Sequence, residues 1–238
     1  MHAMIFCAGL GTRFKPWTDK HPKALAIVNG KSLLQRNVEY LQGAGITKVI
    51  VNVHHFASQI TEAVESNNGW GSDIEISDES NMVLETGGGL LHAHELLPMG
   101  EDFVCINVDI LTDLDLKSMI RWHRQQKSFV TLAVSDRKSS RCFTFDENNR
   151  LTGWRNLQTG EEKIAVSSEV NTNKSFSGIS VFSHNFFDYV EQTGKFSLVD
   201  AWLSLAGDHP IHGFDHHGNA WVDVGRPESV AVAESLFT

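Results

Sequence analysis

Short apolar runs alternate with helix-like patterns through the first half of the chain. The runs lie at residues 3–8, 48–53, 103–108 and 130–134, and each has the length of a buried strand. Apolar residues recur at helical spacing over residues 32–42, 57–66 and 114–126. This order favours an α/β fold in which a parallel sheet is covered by helices on both faces. In such a sheet, ligands bind beyond the carboxyl ends of the strands.

The second half of the chain is less regular. Residues 135–175 are polar and predict strands and loops over the open edge of the sheet. Beyond them the pattern predicts strands at 177–182 and 220–224, and helices at 186–192, 198–205 and 227–236, the last beginning at a proline. No repeat, low-complexity tract or linker interrupts the sequence, so we expect one domain over residues 1–238.

The composition restricts the partners. The net charge is -9, and nucleic-acid-binding proteins usually present a basic face, so we expect no nucleic acid and a locally built site for any phosphate ligand. No stretch approaches the roughly 20 apolar residues of a membrane span, and the first six residues do not resemble a signal peptide. The three cysteines suit a reducing compartment. We therefore expect a cytoplasmic protein with no membrane partner, as a monomer or a small homo-oligomer.

A glycine-rich turn directly follows the first predicted strand and contains Ala8, Gly9, Leu10, Gly11, Thr12 and Arg13. Glycines let backbone N–H groups turn toward a phosphate, and an arginine adds a cation that can bind two phosphate oxygens at once. The turn lacks the Gly-Lys-Ser/Thr of a P-loop and the third glycine of a Rossmann motif. By itself it fits a phosphate-binding loop or an ordinary glycine turn.

Lys23 follows Pro22, ten residues after Arg13. Proline stiffens this segment, and the lysine is close enough in sequence to reach the same phosphates and neutralise their charge. A lysine on the surface is the alternative.

The combined motif G-x-G-T-R-x-x-P-x-T and P-K-x-L, at residues 9–18 and 22–25, resembles the signature of sugar-1-phosphate nucleotidyltransferases. Further family segments follow in the expected order at residues 84–89, 107–109, 176–179 and 221–225. The resemblance implies a nucleotide-diphospho-sugar transferase fold, which is a three-layer α/β/α fold of the GT-A, Rossmann-like type with a mixed, mainly parallel sheet. It also implies a nucleotide-binding half at about 1–130 and a sugar-binding half at about 131–238, with a nucleoside triphosphate and a sugar 1-phosphate as substrates.

Within the family, L-E-T-G-G-G, F-S-G-I-S-V and W-V-D-V-G are most similar to the uridylyltransferases that use N-acetylmuramic acid 1-phosphate in cell-wall recycling. Many relatives carry a Glu-Lys-Pro segment where this chain has residues 153–156 (G-W-R-N), and the loop at 139–143 also departs from the pattern. The sugar therefore stays open. The alternatives are a mannose- or heptose-1-phosphate guanylyltransferase, a non-catalytic sugar-nucleotide-binding regulatory subunit, and a related glycosyltransferase.

The resemblance assigns roles to individual residues. It implies that Arg13, Lys23 and Asp109 are catalytic, and that Asp109 and Asp223 bind Mg²⁺. Magnesium suits such a pair, since it usually takes one or two carboxylates together with phosphate oxygens and water. The nucleotide is expected on residues 8–13, on Lys23 and on a second glycine segment, Thr86, Gly87 and Gly88, which is alternatively a turn before a helix at 90–97.

Three residues are expected to bind the sugar. Asn107 lies two positions before Asp109 on a predicted strand, so both side chains point to one face and Asn107 can reach the sugar or the ribose. Gly178 matches the glycine that lets the sugar approach the backbone in relatives. Glu169 is a candidate replacement for the missing polar contacts, with an exposed loop residue as the alternative.

Overall fold

The computed structural model describes residues 1–237. The strands in this part of the chain are β1 (Ala3–Phe6), β2 (Ile27–Val28), β3 (Lys31–Ser32), β4 (Lys48–Val53), β5 (Asp73–Asp78), β6 (Phe103–Asn107), β7 (Ile110–Thr112), β8 (Val130–Ser135), β9 (Arg141–Phe145), β10 (Leu151–Asn156), β11 (Glu162–Ile164), β12 (Thr172–Phe182), β13 (Ile211–Asp215) and β14 (Trp221–Asp223). The α-helices are α1 (Leu33–Gly43), α2 (Ala57–Ser66), α3 (Glu85–His92), α4 (Leu116–Gln126), α5 (Leu198–Leu205) and α6 (Glu228–Leu236).

One large sheet organises the molecule. Its main path is β11-β10-β9-β12-β6-β1-β4-β5, with β8 beside β12 and β13 beside β8, so that ten strands are joined. The pairs of β1 with β4 and β6, of β4 with β5 and of β8 with β13 are parallel, and the other pairs are antiparallel. Following these pairs along the sheet, only β10 and β12 run against the other eight strands. The expected mixed, mainly parallel sheet is thus confirmed.

Helices cover both faces of this sheet, and the alternation of side chains along β1 shows how. Ala3 and Ile5 point into one apolar core, which contains residues from α1, α2, α4 and α6. Met4 points the other way, into a second core that contains residues from α3 and α5. Because strand side chains alternate between faces, a fully apolar strand requires burial on both sides. The three-layer α/β/α fold follows.

Most of the predicted elements are present within a residue or two of their expected limits. The helix predicted at 57–66 is α2 (Ala57–Ser66), and the helix predicted at 198–205 is α5 (Leu198–Leu205). In α1, the side chain of Ser32 accepts a hydrogen bond from the backbone N–H of Gln35 and so caps the helix start. The C-terminal helix predicted from residue 227 is α6, with Pro227 as its N-cap.

Two predictions of elements were wrong, and one strand was predicted correctly but lies outside the large sheet. The helix predicted at 186–192 is a single 3₁₀ turn, Phe186–Tyr189, held by the buried ring of Phe186. The strand predicted at 220–224 is present as β14, and it pairs with β7 in a separate two-stranded sheet. Residues 86–89 do not form a turn ahead of a helix at 90–97, because they lie inside α3, which ends at His92.

Two strands of the large sheet were missed. β5 is a sheet edge whose sequence D-I-E-I-S-D alternates polar and apolar residues, which is a weaker signal than an apolar run. β13 contains Gly213, where an added Cβ would lie 3.0 Å from the ring of Phe145, so close packing requires glycine. None of the helices formed by residues 1–237 has the length and apolar character needed to cross a membrane.

Candidate active site

A cleft with a volume of about 220 Å³ opens at the carboxyl ends of β1, β4 and β6. Parallel strands bring their carboxyl ends to one edge of the sheet, and this is where α/β proteins bind ligands. The lining residues come from five segments of the chain: Phe6, Ala8, Gly9, Lys23, Asn52, Glu79, Val83, Glu85, Thr86, Asn107 and Asp109.

The glycine turn forms one wall of the cleft. Gly11 has a φ of +60°, and an added Cβ would lie 2.8 Å from Cγ2 of Thr18, whose hydroxyl donates to the Gly11 carbonyl over 2.9 Å. Gly9 has open space where a Cβ would be. Among the described residues, the N–H groups of residues 9–12 donate to no protein acceptor. The turn therefore offers a row of backbone donors, the arrangement that binds phosphate oxygens.

Lys23 and Asp109 form an ion pair beside this wall. The Lys23 ammonium donates to Oδ2 of Asp109, and the side chains are only 15% and 14% exposed. Pro22 has an extended backbone conformation and directly precedes the short 3₁₀ turn Lys23–Leu25. Asp109 lies in the turn between β6 and β7, and its carbonyl accepts from the N–H of Val224 over 2.8 Å. That last bond ties the segment after β14 to the same site.

Asp223 lies at the end of β14, where it is paired with Ile110 in the neighbouring strand. Its Oδ1 is buried and has no hydrogen-bond partner in residues 1–237. Burial raises the pKa of this carboxyl, and the charge of Asp109 raises it further, while Lys23, Arg13 and Arg137 lower it. Two carboxylates therefore lie close enough to repel, and one of them has an unsatisfied oxygen.

This donor set fits a magnesium ion. Magnesium takes hard oxygen ligands, and its protein sites commonly supply one or two carboxylates and leave the other positions to phosphates and water. Between residues 1 and 237 no group of three or more His, Cys, Asp and Glu side chains has the geometry to hold a metal. Because Asp109 and Asp223 supply only two protein ligands, they would hold the ion together with substrate oxygens and water.

Arg13 approaches the site from the exposed side. Gly225 leaves room for it: a Cβ at this position would lie 3.1 Å from Nη2 of Arg13 and 2.6 Å from Oδ1 of Asp223. A side chain at residue 225 would therefore crowd both this guanidinium and this carboxylate. The expected neighbours Arg13, Lys23, Asp109 and Asp223 are thus brought together in one place.

The second glycine segment is mainly a packing element. Thr86 lines the cleft, and its hydroxyl oxygen accepts from the N–H of Leu198 over 3.1 Å. An added Cβ on Gly87 would lie 2.3 Å from the ring of Phe196, and one on Gly88 would lie 2.1 Å from the carbonyl oxygen of Gly194. The structure therefore brings Thr86 to the cleft and presses Gly87 and Gly88 against the segment before α5.

The expected sugar-binding residues fall in two places. Asn107 lines the cleft, and Gly178, with a φ of +80°, lies beside it, since an added Cβ would be 3.3 Å from Nδ2 of Asn107. Glu169 is exposed in the loop between β11 and β12 and is not among the residues that line the cleft. The structure thus joins Asn107 and Gly178 and leaves Glu169 apart from them.

A buried polar network in the cleft was missed. Asn52 accepts from the N–H of Cys7 over 2.7 Å and donates to Oε1 of Glu79 over 2.7 Å. Glu79 is 3% exposed, its Oε2 has no partner in the described chain, and burial raises its pKa. The available sequence signal was Asn52 itself, which is a polar residue within an apolar strand.

Arg137 lies outside the residues that line the cleft, but it is close to the Asp223 strand, and the sequence did not single it out. It follows β8, its guanidinium carbon lies 4.1 Å from the centre of the Trp221 ring, and its Nη2 donates to the carbonyl of Phe176 over 2.5 Å. Its Nε is buried without a partner in residues 1–237. Burial lowers the pKa of Arg137, and the charge of Asp223 acts in the opposite direction. In the sequence, this loop is distinguished only by its polar composition.

Comparisons with known proteins identify the family and the fold of the chain. A family model described as nucleotidyl transferase matches residues 2–237. The N-acetylmuramate alpha-1-phosphate uridylyltransferase of Caulobacter vibrioides is 30% identical, over 98% of this chain and 95% of its own. Mannose-1-phosphate guanyltransferase beta-A of Xenopus laevis is 27% identical over the whole chain, which spans 64% of that longer protein. HddC from Yersinia pseudotuberculosis, solved as a complex with GMP-PN, has a TM-score of 0.78 at 23% identity, covering 100% of this chain and 99% of its own.

Proposed function

Since the chain belongs to the nucleotidyl transferase family, we propose that it joins a sugar 1-phosphate to a nucleoside triphosphate and releases pyrophosphate. The observation that carries the proposal is the meeting of the Lys23 and Asp109 pair with Asp223 beside a turn of unused backbone donors. Backbone donors, cations and a carboxylate pair that could hold a metal together stabilise the charge of a phosphate-rich substrate, and their proximity supports the proposal.

The reaction is an in-line displacement at the α-phosphorus. An oxygen of the sugar phosphate forms the new bond to phosphorus, and the bond from the α-phosphorus to the pyrophosphate oxygen breaks. The attacking oxygen is already ionised, so no strong general base is required. Catalysis then rests on alignment and on charge neutralisation.

Individual residues have separate roles in this reaction. The N–H groups of residues 8–13 bind the triphosphate, Arg13 and Lys23 neutralise charge on the leaving pyrophosphate, and the Thr86 to Gly88 segment borders the base. Asp109 and Asp223 hold Mg²⁺, which when bound supplies further positive charge to the phosphates. Asn107 and Gly178 face the sugar, and we keep Glu169 as a candidate only for a conformation that brings its loop inward.

The preferred substrates are UTP and N-acetylmuramic acid 1-phosphate or a related sugar. The similarity to the Caulobacter uridylyltransferase over 98% of the chain and 95% of that protein supports this pair. The role would then be cytoplasmic, in cell-wall recycling, by a monomer or small homo-oligomer that needs neither nucleic acid nor membrane.

A guanylyltransferase acting on mannose 1-phosphate or heptose 1-phosphate is the second candidate. The Xenopus relative supports it. A non-catalytic binding subunit is disfavoured, because a protein that only binds a sugar nucleotide does not need Arg13, Lys23, Asp109 and Asp223 around one cleft.

The test is a substrate panel. The purified protein is incubated with Mg²⁺, with each of the four triphosphates, and with N-acetylmuramic acid, mannose or heptose 1-phosphate, and pyrophosphate release is measured. We expect the fastest release with UTP and N-acetylmuramic acid 1-phosphate. Fastest release with GTP and mannose or heptose 1-phosphate would support the second candidate. No release with any pair, while the protein is folded, would refute the proposed function.

A further inference from the structure

Arg137 has an environment that differs from that of an ordinary surface arginine. It is partly buried directly after β8, in a loop that also contains the exposed Asp136. The loop is fixed from the neighbouring strand, since the hydroxyl of Ser175 donates to the carbonyl of Arg137 over 2.8 Å. The backbone that carries the guanidinium is therefore held to β12.

The guanidinium is itself fixed by two contacts. It stacks over the ring of Trp221 at 4.1 Å, and Nη2 donates to the carbonyl of Phe176 over 2.5 Å. The Trp221 ring is held in turn, because its Nε1 donates to the carbonyl of Ser177 over 2.9 Å. An arginine stacked on an indole and bonded to a carbonyl has lost most of its freedom before any ligand arrives.

This prepared side chain still has an unused donor. The Nε–H of Arg137 is buried and has no acceptor in the described part of the chain. Asp223 is near enough to act on the charge of Arg137, but no ion pair joins them among residues 1–237. A buried N–H without an acceptor is costly, and a phosphate oxygen satisfies it best because the planar guanidinium matches phosphate geometry.

The surroundings of Arg137 indicate which phosphate it would bind. Its two contacts, Phe176 and Trp221, come from β12 and β14, and Gly178 lies two residues beyond Phe176. The triphosphate donors, Gly9 to Arg13 and Lys23, belong to the other half of the chain. Asp223 adjoins both groups: it lies two residues after Trp221 on β14, and a Cβ on Gly225 would lie 2.6 Å from its Oδ1 and 3.1 Å from Nη2 of Arg13.

We propose that Arg137 is a substrate-binding residue that holds the phosphate of the sugar 1-phosphate beside Asp223. This inference rests on the proposed function. Arg13 and Lys23 then bind the triphosphate, and Arg137 binds the attacking phosphate from the opposite side of the metal-binding pair. With one cationic group for each phosphate, the two reactants are held in line without a shared cation.

The test separates the two substrates kinetically. Wild type, R137Q, R137K and the control R121Q, which changes an exposed arginine on α4, are compared in steady-state assays with UTP and N-acetylmuramic acid 1-phosphate. We expect R137Q to raise KM for the sugar 1-phosphate at least about tenfold, as the loss of a charged hydrogen bond implies, with KM for UTP changed less than about twofold. R137K, which keeps the charge without the planar fork, should be intermediate.

A binding experiment tests the role of Arg137 even if the protein proves to have no transferase activity. If wild type releases no pyrophosphate with any substrate pair, calorimetric binding of N-acetylmuramic acid 1-phosphate in the presence of Mg²⁺ still decides the role of Arg137: loss of binding in R137Q and not in R121Q supports it. If R137Q lowers kcat and raises the Mg²⁺ requirement but leaves both KM values unchanged, Arg137 only orients Asp223 and the inference is overturned. Equal KM values for wild type, R137Q and R137K, or equal binding, would overturn it as well.

Discussion

Lys23 and Asp109 form a largely buried ion pair between residues 86 positions apart. The pair joins the segment that follows the glycine turn to the turn after β6, at the edge of the sheet where Asp223 also lies. Removing either partner leaves the other charge partly buried and uncompensated. The pair therefore links the stability of the site to its chemistry.

Lys23→Ala should remove most of the turnover. The lysine neutralises phosphate charge that builds up during transfer, and loss of one such group costs about 100-fold or more in kcat. The control Lys117→Ala changes an exposed lysine on α4 and should keep wild-type rates. Pyrophosphate release measures the rates, and circular dichroism checks that both variants are folded. A Lys23→Ala rate within threefold of wild type would remove Lys23 from the catalytic residues.

Asp223→Asn should change the response to magnesium. The substitution keeps the shape of the side chain and removes the negative charge that a hard cation requires. We expect the Mg²⁺ concentration for half-maximal rate to rise and kcat to fall about 100-fold or more, with Asp208→Asn, on the exposed surface after α5, as the unaffected control. An unchanged magnesium dependence would show that Asp223 is not a ligand.

Gly11→Ala should weaken both the fold and triphosphate binding. A φ of +60° is unfavourable for alanine, and the added Cβ would lie 2.8 Å from Cγ2 of Thr18. Gly30→Ala is a matched control, because Gly30 has a φ of +77° and no atom within 4 Å of the added Cβ. Each variant should lose about 1 kcal/mol or more of unfolding free energy, and Gly11→Ala should lose more and also raise KM for the triphosphate. Equal losses in the two variants would argue against a tight turn at Gly11.

Glu79→Gln tests the buried carboxylate by its pH dependence. Burial raises the pKa of Glu79 in the folded protein above its ordinary value of 4.5, so the folded state binds more protons than the unfolded state above that pH. The contribution of Glu79 to stability is therefore complete below pH 4.5 and is lost as pH rises through the raised pKa. Because glutamine stays neutral, Glu79→Gln should gain unfolding free energy relative to wild type between pH 4.5 and pH 7. Urea unfolding at both pH values measures the difference, and a difference that does not change with pH would contradict the account.

Much of the fold was predictable because strands buried on both faces are continuous apolar runs. That signal located β1, β4, β6 and β8, and with them the edge of the sheet where the cleft lies. The edge strand β5 escaped because its exposed acidic residues interrupt the apolar pattern. The element at Phe186–Tyr189 was predicted too long. Three of its four residues are aromatic, which gave an apolar segment that resembled part of a helix, but only a single 3₁₀ turn forms.

The site was predictable only in part, because only some of its residues belong to local sequence motifs. The residues Arg13, Lys23, Asp109 and Asp223 carry family motifs, and motifs are visible in sequence. The bond from Asn52 to Glu79 and the stacking of Arg137 on Trp221 arise from tertiary packing of distant segments, which no local pattern records. Gly87 and Gly88 show the opposite case, in which a motif suggested a ligand and the packing against Phe196 and Gly194 supplies a structural reason.

Identification of the product is the decisive experiment for the proposed reaction. Wild-type protein is incubated with UTP, Mg²⁺ and N-acetylmuramic acid 1-phosphate, and the mixture is analysed by mass spectrometry and by a pyrophosphate assay. We expect a uridine diphosphate sugar and pyrophosphate in equal amounts, and we expect the Lys23→Ala and Asp223→Asn variants to form neither product above about 1% of the wild-type rate. Absence of a nucleotide sugar with every combination of triphosphate and sugar 1-phosphate, from a folded protein, would contradict it.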